Sequence, residues 1–381
     1  MSRSPEPARK PSAPRRRRST GVSHLRVVGG HERSWRVLEG DCLAVLEELP
    51  VQSVDAVVCD PPYGIDLQGR HWDGRAIRES AATTSTRGRM SRSEAFQEWT
   101  RTWATGCLEV LKPGGHLFAF GSPRTFHRLA AGLEDAGFEL RDTLMWLYAS
   151  GMPKSRRLPA GTGTSLKPAW EPILLARKKP DTTIEETRRE HGTGVLNIDA
   201  CRIEERWPAN VLLAHDECCT KDECVAGCTV AAIDQADRRK QATARPSRLF
   251  FSTKVSRGER DAGCEHLPAG ELNLFPNAQS DGPPPAAARN PHPTVKPIEL
   301  MRWLVRLASP PCGLVLDPFC GSGSTGIAAR LEGRLFIGVE REPSYIAIAH
   351  ARITHWTRPA PHGKEDGQTD RPFASTSRRR R

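Results

Sequence analysis

The chain has 381 residues, with 56 Lys and Arg against 45 Asp and Glu, for a formal net charge of +11. That length suits one large domain or two smaller ones, and the basic excess suits a polyanionic partner, most simply nucleic acid. The absence of a long apolar stretch or a signal-peptide core, and 11 scattered cysteines, argue against a membrane span and a secreted disulfide scaffold. The expectation is a cytoplasmic protein with reduced thiols.

Residues 1–34 read as an unstructured basic tail, with Arg15–Arg18 set among Pro and Ser. Trp35–Leu38 predicts a short strand, after which Asp41 caps an amphipathic helix. Val54–Cys59 is an apolar run that leads straight into Asp60-Pro61-Pro62-Tyr63. The prolines remove two backbone donors while their carbonyls keep both lone pairs. Asp60 adds a carboxylate acceptor, and Tyr63 a flat ring with a polar tip. Such a corner suits a planar group that bears an NH2, for instance a nucleobase. The plainer alternative is a tight loop with Asp60 as a local cap.

Residues 64–93 lack apolar periodicity and predict a long mobile loop beside that corner. A helix over Glu94–Leu111, a strand over His116–Phe120, a helix over Pro123–Ala136 and a strand over Phe138–Tyr148 follow. This alternation is that of an α/β sheet covered on both faces. Between about 150 and 290, short strand-like runs alternate with turns and basic residues, and Pro-rich "SDGPPPAAARNPHP" closes the stretch like a linker. A helix (Ile298–Ala308), a strand (Gly313–Leu316), a helix (Gly323–Leu331), a strand (Leu335–Val339) and a last helix (Ser344–Thr354) are predicted next. Residues 357–381 return to a basic, polar tail.

The second corner is "LDPFCGSGSTG", with Glu340 at the end of the next strand. A glycine turn between strand and helix lets backbone N–H groups approach a ligand, and an acid on the following strand can take ribose hydroxyls. Gly321, Gly323 and Gly326 also satisfy the letters of a dinucleotide fingerprint. Asp317 argues otherwise, since an acid before the turn repels a pyrophosphate and welcomes a cation. S-adenosylmethionine, with its ammonium and sulfonium, fits that charge better than NAD does.

With both corners in hand, the chain resembles the amino-methylating DNA methyltransferases over about residues 35–355. Asp60-Pro61-Pro62-Tyr63 matches the catalytic motif, and Phe319-Cys320-Gly321-Ser322-Gly323 matches the cofactor loop. Glu340 matches the ribose acid, and "HPTVKP" (His292–Pro297) looks like the family's other cofactor motif. Catalytic motif, variable middle, then cofactor loop is the permuted order of the beta class. The resemblance implies a Rossmann-like, seven-stranded, mostly parallel sheet in circularly permuted order, with an inserted target-recognition region. It divides the chain into a basic tail (1–34), a catalytic half (35–150), a target-recognition insert (151–290), a cofactor-binding half (291–356) and a second tail (357–381).

The same resemblance implies a site-specific enzyme that moves a methyl group from S-adenosylmethionine to the exocyclic amine of a flipped base in double-stranded DNA. D-P-P-Y tilts towards adenine N6, with cytosine N4 second. Asp60, Pro61, Pro62 and Tyr63 are the catalytic candidates. Asp317, Phe319, Gly321, Gly323 and Glu340 are the cofactor candidates, joined by Thr294 and Lys296 for the methionine carboxylate. A cognate restriction nuclease and a homodimer are compatible partners, and no membrane is expected. An RNA or protein-amide methyltransferase, and a non-enzymatic DNA-binding module, are the competing readings. Cys320 departs from the small apolar residues usual at its place. His215, Cys218, Cys219, Cys224 and Cys228, with Cys264 and His266 further on, form a cluster; Cys219-x4-Cys224-x3-Cys228 is spaced loosely enough for a structural zinc that would brace the segment, but lacks a paired C-x2-C. Small buried thiols in a turn-rich segment are the plainer reading, and no metal ligand is assigned.

Overall fold

A run of β-branched and small apolar residues, interrupted by the paired Asp55, makes Val54–Cys59 (β2) a strand buried along its whole length. Its side chains alternate between two cores. Ala56 and Val58 join one cluster, while Val57 and Cys59 join the other. The structure, a computed structural model, describes residues 34–84, 90–148, 162–202, 206–216, 219, 224–226, 228, 230–231, 251–253, 255–271 and 287–358. Nearly all of the two tails, the Pro-rich run 281–286 and Cys218 lie outside the described residues.

β2 sits near the middle of a sheet whose other strands are β1 (Trp35–Glu39), β3 (Leu111–Phe120), β4 (Phe138–Tyr148), β5 (Trp170–Lys178), β6 (Val211–His215), β7 (Phe251–Thr253), β10 (Leu314–Asp317) and β11 (Leu335–Glu340). The spatial order is β1-β11-β10-β2-β3-β5-β4-β6-β7. All neighbours run parallel except β5, which is antiparallel to both β3 and β4. A separate two-stranded ribbon pairs β8 (Gly270–Glu271) with β9 (Ala287–Ala288).

The main sheet therefore has nine strands, not the expected seven. β6 and β7 extend the β4 edge in parallel, and both come from the 151–290 stretch, as does β5. These short strands stand far apart in the chain, so local pattern alone does not attach them to this sheet.

On one face pack α1 (Cys42–Glu48), α2 (Arg75–Thr84), α3 (Arg92–Val110) and α4 (Phe126–Asp135). After α5 (Ile184–His191) and the short α6 (Arg257–Asp261), the other face is covered by α7 (Ile298–Ala308), α8 (Ser324–Leu331) and α9 (Pro343–Thr357). Asp41 caps α1 by accepting from the Leu43 N–H at 2.9 Å, as the sequence suggests.

β2 and β10 are adjacent, with Val315 opposite Ala56 and Leu316 opposite Val57. From β2 the sheet proceeds to β3 on one side, and from β10 to β11 on the other. That reversal opens a crevice beyond the carboxyl ends of the strands, where open α/β sheets place their ligands. Asp60, Asp317 and Glu340 all stand at those ends.

Candidate active site

Asp60 leaves β2 and meets Tyr63 and Lys296. The Tyr63 hydroxyl donates to Asp60 Oδ1 at 2.8 Å and is 3.2 Å from Glu171 Oε2. Lys296 Nζ lies 2.5 Å from Asp60 Oδ2, 3.3 Å from the Tyr63 hydroxyl and 3.6 Å from Glu171 Oε2. It also sits 4.8 Å above the centre of the Phe120 ring. The Tyr148 hydroxyl donates to the other Glu171 oxygen at 3.3 Å.

Two part-buried carboxylates thus face one ammonium. Burial and the Glu171 charge raise the Asp60 carboxyl above its ordinary range against the pull of Lys296. Burial works against the Lys296 charge, yet Asp60 and Glu171 outweigh it and hold the ammonium above its ordinary range. The Tyr63 phenol is pushed well up by burial and the same two carboxylates, so it remains a donor. Asp60 is left with about two of its roughly four lone-pair positions for a ligand.

The turn that carries Tyr63 is built by Asp73. Its carboxylate accepts from the backbone N–H groups of Tyr63 (2.6 Å), Gly64 (2.8 Å), Ile65 (3.2 Å) and Leu67 (2.7 Å). Thr125 Oγ1 ties down the Tyr63 carbonyl at 2.7 Å. Residues 67–73 form two 3-10 turns and 75–84 form α2, so this part of the expected mobile loop is ordered. Leu67, Trp72, Ile77 and Ser80 form a wall of the crevice.

At the second corner, Asp317 ends β10 and stays inside the turn. Thr325 Oγ1 donates to its Oδ2 at 2.6 Å, and the Phe319 N–H to its Oδ1 at 2.9 Å. Burial pushes this carboxyl up to about 7, Thr325 and the Phe319 N–H opposing and Asp60 and Glu340 adding to the rise. Gly321 has φ +51°, and a Cβ there would stand 2.7 Å from His292 Nε2. Its N–H donates to Glu340 Oε2 at 2.8 Å, while Arg341 and Glu342 donate their N–H groups to Oε1, both at 2.9 Å. Glu340 therefore keeps only about one lone-pair position for a ribose hydroxyl.

Gly323 is the N-cap of α8 and packs against Ala349, so it supports the loop and does not line the crevice. Phe319 lines it while leaning on Trp99 and Trp103. Cys320 is buried, and its Sγ takes the space a Cβ at Gly338 would fill.

Ten of the eleven predicted residues (all but Gly323) line this one crevice of about 1220 Å3, which includes its solvent-open mouth. Lys296 is brought to the catalytic corner and is paired with Asp60, where sequence reasoning set it beside a cofactor carboxylate. Thr294 lines the crevice, and its N–H donates to His292 Nδ1 at 3.3 Å.

Sequence reasoning placed His292 in the cofactor motif without giving it a role, and missed several other residues that shape the site. His292 is buried and pushed down to about 3 by burial and neighbouring cations, so it is neutral, and it stands edge-on to Tyr345 with ring centres 4.5 Å apart. Arg352 is fully buried on α9 and donates to the Ser322 carbonyl at 2.7 Å, holding the glycine loop from behind. Arg260 of α6 donates to the His292 carbonyl at 2.6 Å, so the "SRGERDAG" run braces the 292–297 motif. Glu171 and Asp73 have no local pattern that marks them; each acts through partners distant in the chain.

A doubly wound sheet with acids at its carboxyl ends and a glycine turn at the switch point is the arrangement of the α/β proteins that bind a nucleoside-bearing ligand in that crevice. A family model described as DNA methylase, of the N6/N4 methyltransferases, matches residues 54–351, and the chain belongs to that family. S-adenosylmethionine is the methyl donor of that family. Among characterised relatives, the Type II methyltransferase M.HindIII of Haemophilus influenzae is 24% identical over 356 residues, which span 83% of this chain and 94% of that protein. The Type II methyltransferase M.HinfI of Haemophilus influenzae is 22% identical over 83% of this chain and 67% of its own length. Among solved structures, the PvuII DNA methyltransferase (cytosine-N4-specific) shares the fold with a TM-score of 0.50 at 18% identity, covering 84% of this chain and 86% of that one. No helix among the described residues is long and apolar enough to cross a membrane.

Proposed function

We propose that this methyltransferase is site-specific, acts on double-stranded DNA and methylates adenine N6. The observation that carries the reading is the meeting of Asp60-Pro61-Pro62-Tyr63 with the Asp317–Gly321 turn and Glu340 in one crevice. The residues suit the donor: Asp317, once ionised, offers negative charge to a cationic ligand, and bare Gly321 lets the turn pack against His292 while its N–H holds Glu340 in the crevice. S-adenosylmethionine, when bound, supplies an electrophilic methyl group on sulfur. Asp317, Phe319, Gly321 and Glu340 would hold it, with Thr294 beside them.

The exocyclic amine of a base is a poor nucleophile because its lone pair is delocalised into the ring. Asp60 accepts one of its N–H groups and turns the nitrogen lone pair towards the cofactor side of the crevice. The raised Asp60 carboxyl suits it to take the proton that the amine gives up. Lys296 and Tyr63 hold Asp60 in place, and the Tyr63 ring offers a surface to the extruded base. The amine is out of reach within a stacked duplex, so the base must flip. Cys59 is strand core and supplies no nucleophile.

Lys and Arg side chains of the 151–290 segment hold the surrounding DNA through phosphate contacts. D-P-P-Y favours adenine, although cytosine N4 presents the same hydrogen-bonding problem. Relatives of Type II systems suggest that the mark protects DNA from a cognate nuclease. Long-read sequencing of DNA from cells expressing the protein tests this. N6-methyladenine in one sequence context is expected, whereas N4-methylcytosine, or no mark on DNA, overturns the assignment. Asp60→Asn should lower turnover by about 10²–10³-fold while cofactor binding persists, measured by methyl-transfer kinetics and calorimetry.

A further inference from the structure

His215 ends β6 almost fully buried, at 2% exposure. Its Nδ1 lies 3.3 Å from Cys224 Sγ and 3.7 Å from Cys228 Sγ. With Cys219, these side chains bring four donor atoms within 4.8 Å of one another. Cys219, Cys224 and Cys228 are all reduced thiols. A tetrahedral zinc ion with Zn–S of about 2.3 Å and Zn–N of about 2.0 Å sets its N and S ligands roughly 3.5 Å apart and its S ligands about 3.8 Å apart. The two His215 distances straddle the first of these values.

Ordinary packing explains the cluster poorly. Among the described residues, the local apolar cluster consists of Cys219, Cys228 and Val230, with Leu213, Cys224, Val225 and Ala231 against it. So small a group buries too little surface to hold a loop. It also gives no reason for a buried imidazole to aim its nitrogen at two sulfurs. Cys264, which the sequence groups with these residues, packs instead against Ile348 and Ala351.

We propose that His215, Cys219, Cys224 and Cys228 bind one structural zinc ion that closes the connection leaving β6. The donor set is complete with four protein ligands, so the ion has a bracing role and takes no part in methyl transfer. Its place in the sheet gives the brace a purpose. β6 is parallel to β4, and β4, through antiparallel β5, is parallel to β3 and β2. His215 thus lies on the same carboxyl edge of the sheet as Asp60. Four strand spacings separate β2 from β6, about 19 Å. A stapled loop there would flank DNA whose target base enters the crevice; this last step rests on the proposed function, whereas the zinc site does not.

Full-length protein, purified without an affinity tag or chelator, tests the site by elemental analysis and by cobalt substitution. About one zinc per chain is expected, together with the visible and near-ultraviolet bands of tetrahedral cobalt bound by thiolates. Cys228→Ser should lose the bound metal, and Cys264→Ser should keep it. Wild-type protein that holds no zinc and gives no tetrahedral cobalt spectrum overturns the proposal, even should the Cys228 variant fail to fold. Full retention of zinc by a folded Cys228→Ser protein overturns it as well.

Discussion

The catalytic corner places one ammonium between two carboxylates, and that imbalance sets how the site titrates. Lys296 lowers the Asp60 carboxyl, while burial and Glu171 raise it. Removing the cation with Lys296→Met leaves the Tyr63 hydrogen bond to oppose burial and the Glu171 charge. The acid limb of the rate–pH profile should then move to higher pH, because more alkaline solution is needed to ionise Asp60. A residue with a merely structural role would lower the rate evenly at every pH, so the profile separates the two. Asp317 makes a second pH statement. Its folded value is about 7, whereas an exposed aspartate titrates near 3.9. Between those values the folded chain holds a proton that the unfolded chain has released. The contribution of this group to stability is therefore complete below about pH 4 and is lost as pH rises through about 7. Cofactor binding should respond in the opposite sense. A cationic ligand prefers the ionised acid, so affinity for S-adenosylmethionine should increase as pH rises through about 7. Calorimetric titrations on either side of that value check it, with proton release expected on the acid side. Asp317→Asn should flatten the dependence.

The stretch from Gly64 to Thr84 is an element whose order comes from one side chain. Asp73 gathers four backbone N–H groups, and α2 then closes the wall of the crevice. Asp73→Ala leaves those donors unmet where they are buried. A loss of about 1–3 kcal/mol is expected, together with faster amide exchange over residues 63–67 and a raised KM for DNA. Hydrogen exchange and chemical denaturation measure the two effects. Such an arrangement is invisible to hydrophobic periodicity, because a carboxylate that collects backbone donors leaves no repeat in the sequence. That is why Gly64–Thr84 reads as a loop. By contrast, Val54–Cys59 and Leu314–Asp317 are legible because buried parallel strands are continuous apolar runs. The Gly321 turn is legible because only glycine tolerates its φ with His292 so close. Glu171 is the opposite case. Its meeting with Lys296 depends on β5 inserting antiparallel between β3 and β4, a fact of topology and not of local pattern.

At the scale of the molecule, the crevice is a joint between segments distant in the chain. The Leu314 N–H donates to Asp55 Oδ2 at 2.7 Å across 259 positions of sequence, just below the site. Above it, the catalytic corner belongs to β2 and the cofactor turn to β10, neighbours in the sheet. A ligand seated in the crevice touches both, so its binding energy must be added to the cooperative stability of the whole sheet and not to one half. S-adenosylmethionine at about 100 times its Kd should stabilise the folded chain by about 2.7 kcal/mol and raise Tm by several degrees in a single transition. Asp60→Ala should keep most of that rise, because the cofactor's holders lie on β10 and β11. Gly321→Val should abolish it, since a side chain there meets His292 and strains a positive φ. Scanning calorimetry with and without cofactor distinguishes the outcomes. Two separate transitions, with only one moved by cofactor, would contradict a single sheet built from both ends of the chain. An undiminished shift in folded Gly321→Val protein would place the cofactor somewhere other than the β10 turn.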